Sequence, residues 1–186
     1  MTQYARPNSD AGDAEWVNHN GVSAALNRLI DESSANDNDY MTSSWDGMTT
    51  PGDCKIALGN TVTDPVTALD DHKVKYRALG TDSMMMGSVP PLIVSLYDTT
   101  VSTSTPIVTV TNSSLTGSFA DYTLSLNSTQ AGNIASYDDL QIWFKSVFGM
   151  SANMGDDVQV SQAWFECADV PAAAATTSPA FLLFLE

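Results

Sequence analysis

The stretch PPLIVSLYD, Pro90 to Asp98, decides the fold. Leu92, Val94 and Leu96 alternate with Ile93, Ser95 and Tyr97, a period of two that puts one apolar row inward on a strand and would scatter it around a helix. The same pattern recurs to either side. In FADYTLSLNS, Tyr122, Leu124 and Leu126 alternate with Thr123, Ser125 and Asn127. CKIALG (Cys54, Ile56, Leu58), HKVKYRAL (Val74, Tyr76, Ala78), PIVTVTN (Val108, Val110) and LQIWFKS (Leu140, Ile142, Phe144) repeat it. DVQVSQAWFECADV reads as a long closing strand whose apolar parity slips between Val160 and Trp164, as a β-bulge would cause.

Roughly seven or eight such strands, punctuated by Gly, Pro, Asn and Asp and without interleaved helices, predict an all-β antiparallel sandwich or barrel and exclude a βαβ fold. The one predicted helix lies upstream, where Val22, Ala25, Leu26, Leu29 and Ile30 recur at three- and four-residue spacing up to about Asp31. Residues 1–20 are polar and aperiodic and read as an N-terminal arm, residues 21–171 as the sandwich domain, and residues 172–186 as a C-terminal extension. In that extension AAAATTSP has the composition of a linker. AFLLFLE beyond it suits either a last strand of the domain's own sheet or a tail docking on a neighbouring subunit. The three consecutive methionines Met84, Met85 and Met86 read as gap-filling side chains of a flexible hairpin, with an adaptable contact surface as the alternative.

A chain of 186 residues is one domain's length, and a hydrophobic content of 43% can fill a core. Its net charge of −15, from 22 acids against 7 bases, repels phosphate backbones and anionic lipid, so neither nucleic acid nor membrane is an expected partner. The N-terminal residues lack an apolar signal core, and no run approaches the ~20 apolar residues that span a bilayer. Synthesis in the cytoplasm is expected. Cys54 and Cys167 then read as buried thiols, with a disulfide as the alternative for a protein that matures outside a cell. Asn112 and Asn127 match the glycosylation pattern, which means little without secretion.

In NDNDYMTSSWDG, Asn36 to Gly47, an EF-type loop starting at Asp37 has Asp39 third, but it places Met41 fifth, Thr42 sixth and Met48 twelfth, where oxygen ligands, glycine and a bidentate glutamate are needed. Asp37 and Asp39 are expected to solvate a connection, and Asp46-Gly47 to turn it. His19, Cys54, His72 and Cys167 are too scattered for a zinc site, and no nucleophile elbow frames a serine. The adjacent acids Asp70-Asp71, Asp138-Asp139 and Asp156-Asp157 would point to opposite faces of a strand or into solvent, unlike a glycosidase pair. GNTVTDP and GSVPP carry too few glycines to cradle a phosphate. No enzyme and no cofactor are expected.

One feature rises above this background. The period of two in HKVKYRAL places Lys73, Lys75 and Arg77 on the face opposite Val74 and Tyr76, gathering three of seven cations into a stripe. Edge-strand protection is one reading. Contact with an acidic surface, a neighbouring copy included, is the other.

The order of these segments resembles a small β-sandwich module that recurs in proteins of tailed bacteriophages, over about Ala5 to Pro171. YARPNSDAGDAEWVN resembles its opening Arg-Pro and Trp segment, ALNRLIDESSANDNDY its short helix and acidic Asp-Tyr, and VTDPVTALDDHKVKYRA its Asp-Pro turn and cationic strand. ADYTLSLNSTQAGNIASYDDLQIWF and DVQVSQAWFECADVP resemble its Tyr-Thr-Leu, Gln-Ala and Tyr-x-Asp-Leu pattern and its closing strand. The module often ends near that Val-Pro, whereas this chain continues from Ala172 to Glu186.

The resemblance implies a jelly-roll-like virion component with no catalytic residues to transfer. The expected role is a capsid decoration (cement) protein, homo-oligomeric, contacting the major capsid protein and copies of itself. Lys73, Lys75 and Arg77, with the tail residues Phe181, Leu182, Leu183 and Phe184, are the candidate contacts. A carbohydrate-binding module of a tail fibre or adhesin is the first alternative. Trp16, Trp45, Trp143 and Trp164 are its candidate platforms, Trp143 alone clearly facing outward by parity. A tail or neck connector is the second alternative, and a hydrolase the third.

Overall fold

The computed structural model describes residues 2–44, 52–61, 64–65, 71–82, 89–148 and 156–168. They form strands β1 (Thr2–Ala5), β2 (Pro7–Gly12), β3 (Val17–Asn18), β4 (Met41–Ser44), β5 (Cys54–Leu58), β6 (Lys73–Thr81), β7 (Leu92–Asp98), β8 (Val108–Asn112), β9 (Ala120–Ser125), β10 (Leu140–Ser146) and β11 (Asp157–Ala168). The helix α1 (Ser128–Ala131) is a single turn, closed by a capping box between Asn127 and Gln130. Among the described residues no helix is long and apolar enough to cross a membrane.

The strands make two antiparallel sheets. One runs β3-β4-β11-β6-β9 with β1 also on β11; the other runs β2-β5-β10-β7-β8. From β4 onward the chain crosses between sheets at nearly every step, so the four-strand cores β4-β11-β6-β9 and β5-β10-β7-β8 together define a jelly roll. The predicted all-β sandwich is thus the observed fold.

Period-two patterning explains the layering. Leu92, Val94 and Leu96 of β7 and Ile142 and Phe144 of β10 face Val74, Tyr76, Val160 and Phe165 of the opposite sheet, all 2% exposed or less. Trp16 and Phe144 meet at 6.4 Å, and Tyr76 meets Phe144 edge-on at the same distance. Burying one such aromatic stabilises by about 1.5–3 kcal/mol from area alone. Cys54 and Cys167 are buried and are not joined in a disulfide, so that alternative does not apply.

Three expectations are corrected. The N-terminal arm is built into both sheets: β1 pairs with β11 from Thr2↔Ala168 to Ala5↔Phe165, and β2 pairs with β5. Its polar composition hid this because β2 is an exposed edge with two register shifts, and edges need little apolar patterning. The predicted helix over Val22–Ile30 is a single 3-10 turn, Leu26–Leu29. Ala25 enters it with φ 55, Val22 is half exposed, and the Asp10 carboxylate of β2 accepts from Leu26 N at 2.9 Å and Asn27 N at 2.7 Å. Leu26 and Ile30 plug the sandwich instead of lining a helix face. Finally, β6 is no edge: it lies between β11 and β9, which removes edge protection as the reason for its cations.

The predicted bulge is present, between Val160 and Gln162. On that side β11 is shared, with β4 along Asp157–Val160 and β1 along Phe165–Ala168. The segment 30–37 docks in the gap. Ala163 N donates to Ile30 O at 2.9 Å, Gln162 Nε2 to Glu32 O at 2.7 Å and Ser161 Oγ to Asp37 at 3.2 Å.

Candidate functional site

The outer face of the β11-containing sheet collects the predicted stripe. Register sets Lys73 opposite Glu166, Lys75 opposite Trp164 and Arg77 opposite Gln162 on β11, and opposite Ser125, Thr123 and Asp121 on β9. β1 brings Tyr4 level with Glu166.

Within this face the cations are already matched. The Arg77 guanidinium grips Asp37 through two bonds of 2.7 Å and donates to Asp121 at 3.0 Å, which holds the Asp37 carboxyl below the usual aspartate range. Lys75 Nζ lies 3.2 Å from Glu166, and Lys73 Nζ lies 3.3 Å from Asp71 and 4.0 Å from Glu166. Trp164 joins the network: its Nε1 donates to Glu166 at 3.4 Å, while Lys75 stands 6.0 Å and the Arg6 guanidinium 5.8 Å from its ring centre. Arg6 also lies 5.9 Å from the Tyr4 ring and donates to Glu32 O at 2.6 Å. Tyr4 is 51% exposed. The result is a locally neutral mosaic with two aromatic rings on a strongly acidic protein. A cleft of about 170 Å³ borders it, lined by Thr2, Asp71, Lys73, Glu166, Cys167 and Ala168.

Sequence reading found the stripe but missed Trp164, Tyr4 and Arg6 as its neighbours. The bulge turns Trp164 outward, and the parity slip already visible between Val160 and Trp164 was the signal. The predicted outward ring, Trp143, does stand on the outer face of the other sheet, but it is covered. Tyr97 stacks on it at 3.9 Å, Lys55 Nζ lies 4.0 Å from its centre, and it is 9% exposed. Trp16 is buried in the core, which removes it as a sugar platform. Trp45, Met84 to Met86 and the tail residues Phe181, Leu182, Leu183 and Phe184 lie outside the described residues.

Of the remaining acids, Asp31 and Asp39 stand close enough to Glu32 to push its carboxyl upward, and the others are spoken for singly. Asp37 serves Arg77, Asp39 lies 3.5 Å from His19, and Asp139 accepts from Ser136 Oγ at 2.6 Å. Asp157 holds Thr42 and Thr81 across β4 and β6. Among the described residues no three His, Cys, Asp or Glu side chains gather as a metal set. The face can bind by packing, charge matching and hydrogen bonding. No protein-family model and no curated protein matches the chain.

Proposed function

We propose that this chain is a structural protein of a tailed-bacteriophage virion, a capsid decoration protein that binds the major capsid protein lattice and copies of itself, without catalysis. The observation that carries the reading is the neutral, aromatic-bearing outer face set on a body of net charge −15. Two such bodies repel over most orientations, and the repulsion falls where Lys73, Lys75 and Arg77 are matched by Asp37, Asp71, Asp121 and Glu166, with Arg6 beside Glu32. An anionic body also suits the outside of a capsid better than contact with packaged nucleic acid. Jelly rolls serve viral capsids and lectins alike, so the fold narrows the choice and the face has to make it.

Quantitative mass spectrometry of purified particles tests the reading. Decoration requires hundreds of copies per particle; a few or a dozen would indicate a connector, and absence from particles overturns a virion role. The carbohydrate-binding alternative draws on Trp164 and half-exposed Tyr4 beside Glu166 and Gln162. Glycan-array binding that is lost in Trp164→Ala would favour it.

A further inference from the structure

A turn of residues 19–21 follows β3. Asn20 and Gly21 are both exposed, and Gly21 has φ 79. Without a Cβ on Gly21, little hinders its backbone nitrogen from approaching the side-chain carbonyl of the preceding asparagine. His19 Nε2 lies 2.9 Å from Asn20 Nδ2, and His19 Nδ1 lies 3.5 Å from Asp39 Oδ1. With its proton on Nδ1, the nitrogen nearer Asp39, Nε2 accepts from the Asn20 amide; a protonated Nε2 can donate to that nitrogen only in the tetrahedral intermediate, where the nitrogen has regained its lone pair.

We propose that Asn20-Gly21 is a self-modifying site that converts to aspartate and isoaspartate, with His19 as its general acid and Asp39 as a positioning residue. The Gly21 nitrogen gives its proton to solvent hydroxide and attacks Asn20 Cγ, forming the new C–N bond of a five-membered imide. The Cγ–Nδ2 bond breaks, His19 Nε2 supplies a proton to the leaving nitrogen, and ammonia departs. Water then adds to one imide carbonyl; opening on one side gives aspartate, on the other isoaspartate. His19 regains its proton from solvent, and nothing is oxidised or reduced. The Gly21 N–H donates to Asn18 O at 2.8 Å, so attack begins by opening that exposed bond. The product adds a negative charge close to Asp39 and, as isoaspartate, one backbone carbon to the turn.

The full chain is incubated at neutral pH, folded and in urea, and the peptide containing residue 20 is followed by mass spectrometry with isoaspartate detection. Folded wild type is expected to convert faster than the same chain in urea. His19→Gln slows the folded rate roughly tenfold to a hundredfold, within reach of a positioned general acid, and leaves the urea rate unchanged. Asp39→Asn slows it less, and Asn20→Gln abolishes it, with circular dichroism confirming each fold. Folded wild type converting no faster than unfolded chain, or folded His19→Gln converting as fast as wild type, overturns the proposal.

Discussion

Asp98 closes β7 and is 1% exposed. One carboxylate oxygen accepts from Ala135 N and Ser136 N, both at 2.8 Å, and the other from Thr100 N at 3.0 Å and Thr100 Oγ1 at 2.5 Å. Burial pushes its carboxyl upward, but these four donors outweigh it and hold the group below the usual aspartate range. Asp98→Asn keeps the shape and replaces one acceptor oxygen by a donor; with the NH2 turned toward Thr100, whose hydroxyl can rotate to accept from it, at least the Thr100 N–H is left facing a donor. An orphaned donor costs about 1–3 kcal/mol, so the substitution should cost at least about 1–3 kcal/mol, or roughly 2–12 °C in Tm for a chain of this size. Because the folded pKa lies below the unfolded one, this stabilisation is complete above the ordinary aspartate pKa and is lost as pH falls through the folded value. Urea unfolding of both proteins from pH 7 into the acid range is the assay. The gap between them should be widest at neutral pH and close as pH falls. A gap under about 0.5 kcal/mol at pH 7, or one of constant width, would refute the assignment of these bonds as the anchor between β7 and the segment leading to β10.

Gly80→Ala should cost about 1–3 kcal/mol in thermal unfolding, because the added methyl falls inside van der Waals contact with Val89 Cγ1 and lies 3.2 Å from Leu115. Glu32→Gln should raise the urea midpoint at neutral pH. Burial first, then Asp39 and Asp31, push the Glu32 carboxyl upward, so its charged form weakens the native state and wild type should converge on the variant as pH falls through the raised value. Asp37→Asn should cost no more than about 1 kcal/mol at neutral pH, since its pair with Arg77 is exposed, and nothing once acid has neutralised Asp37 in wild type.

Legibility in the sequence followed burial. β7, β10 and β6 were readable because each lies inside a sheet and carries its core-facing apolar residues at every second position. β11 was readable down to its bulge. β1 and β2 were not, because a short edge strand draws its stability from neighbouring backbones and carries little side-chain pattern of its own. The segment 22–30 misled for a related reason: Leu26, Leu29 and Ile30 do pack inward, but on a turn anchored by Asp10, sixteen residues upstream of Leu26. The stripe was legible as geometry and opaque as electrostatics. Only Asp71 is close in sequence, beside Lys73; the other carboxylates arrive from Asp37 in a loop, Asp121 on β9 and Glu166 on β11, all far from Lys73 to Arg77 along the chain.

A stripe of bare lysines on an acidic body would attract any anionic surface and discriminate poorly. Cations already matched by Glu166, Asp37, Asp121 and Asp71 offer little net attraction at a distance, so in the proposed role affinity would come from close packing on Tyr4 and Trp164 and from exchange of paired charges in register. The bulge serves both requirements. By adding one residue to β11 it turns Trp164 outward beside Lys75, and it opens the gap in which Ser161 and Gln162 hold the segment that carries Asp37 to Arg77. A face assembled from β1, β6, β9, β11 and a docked loop exists only in the completed jelly roll, so the folded subunit presents it and a partly folded chain does not.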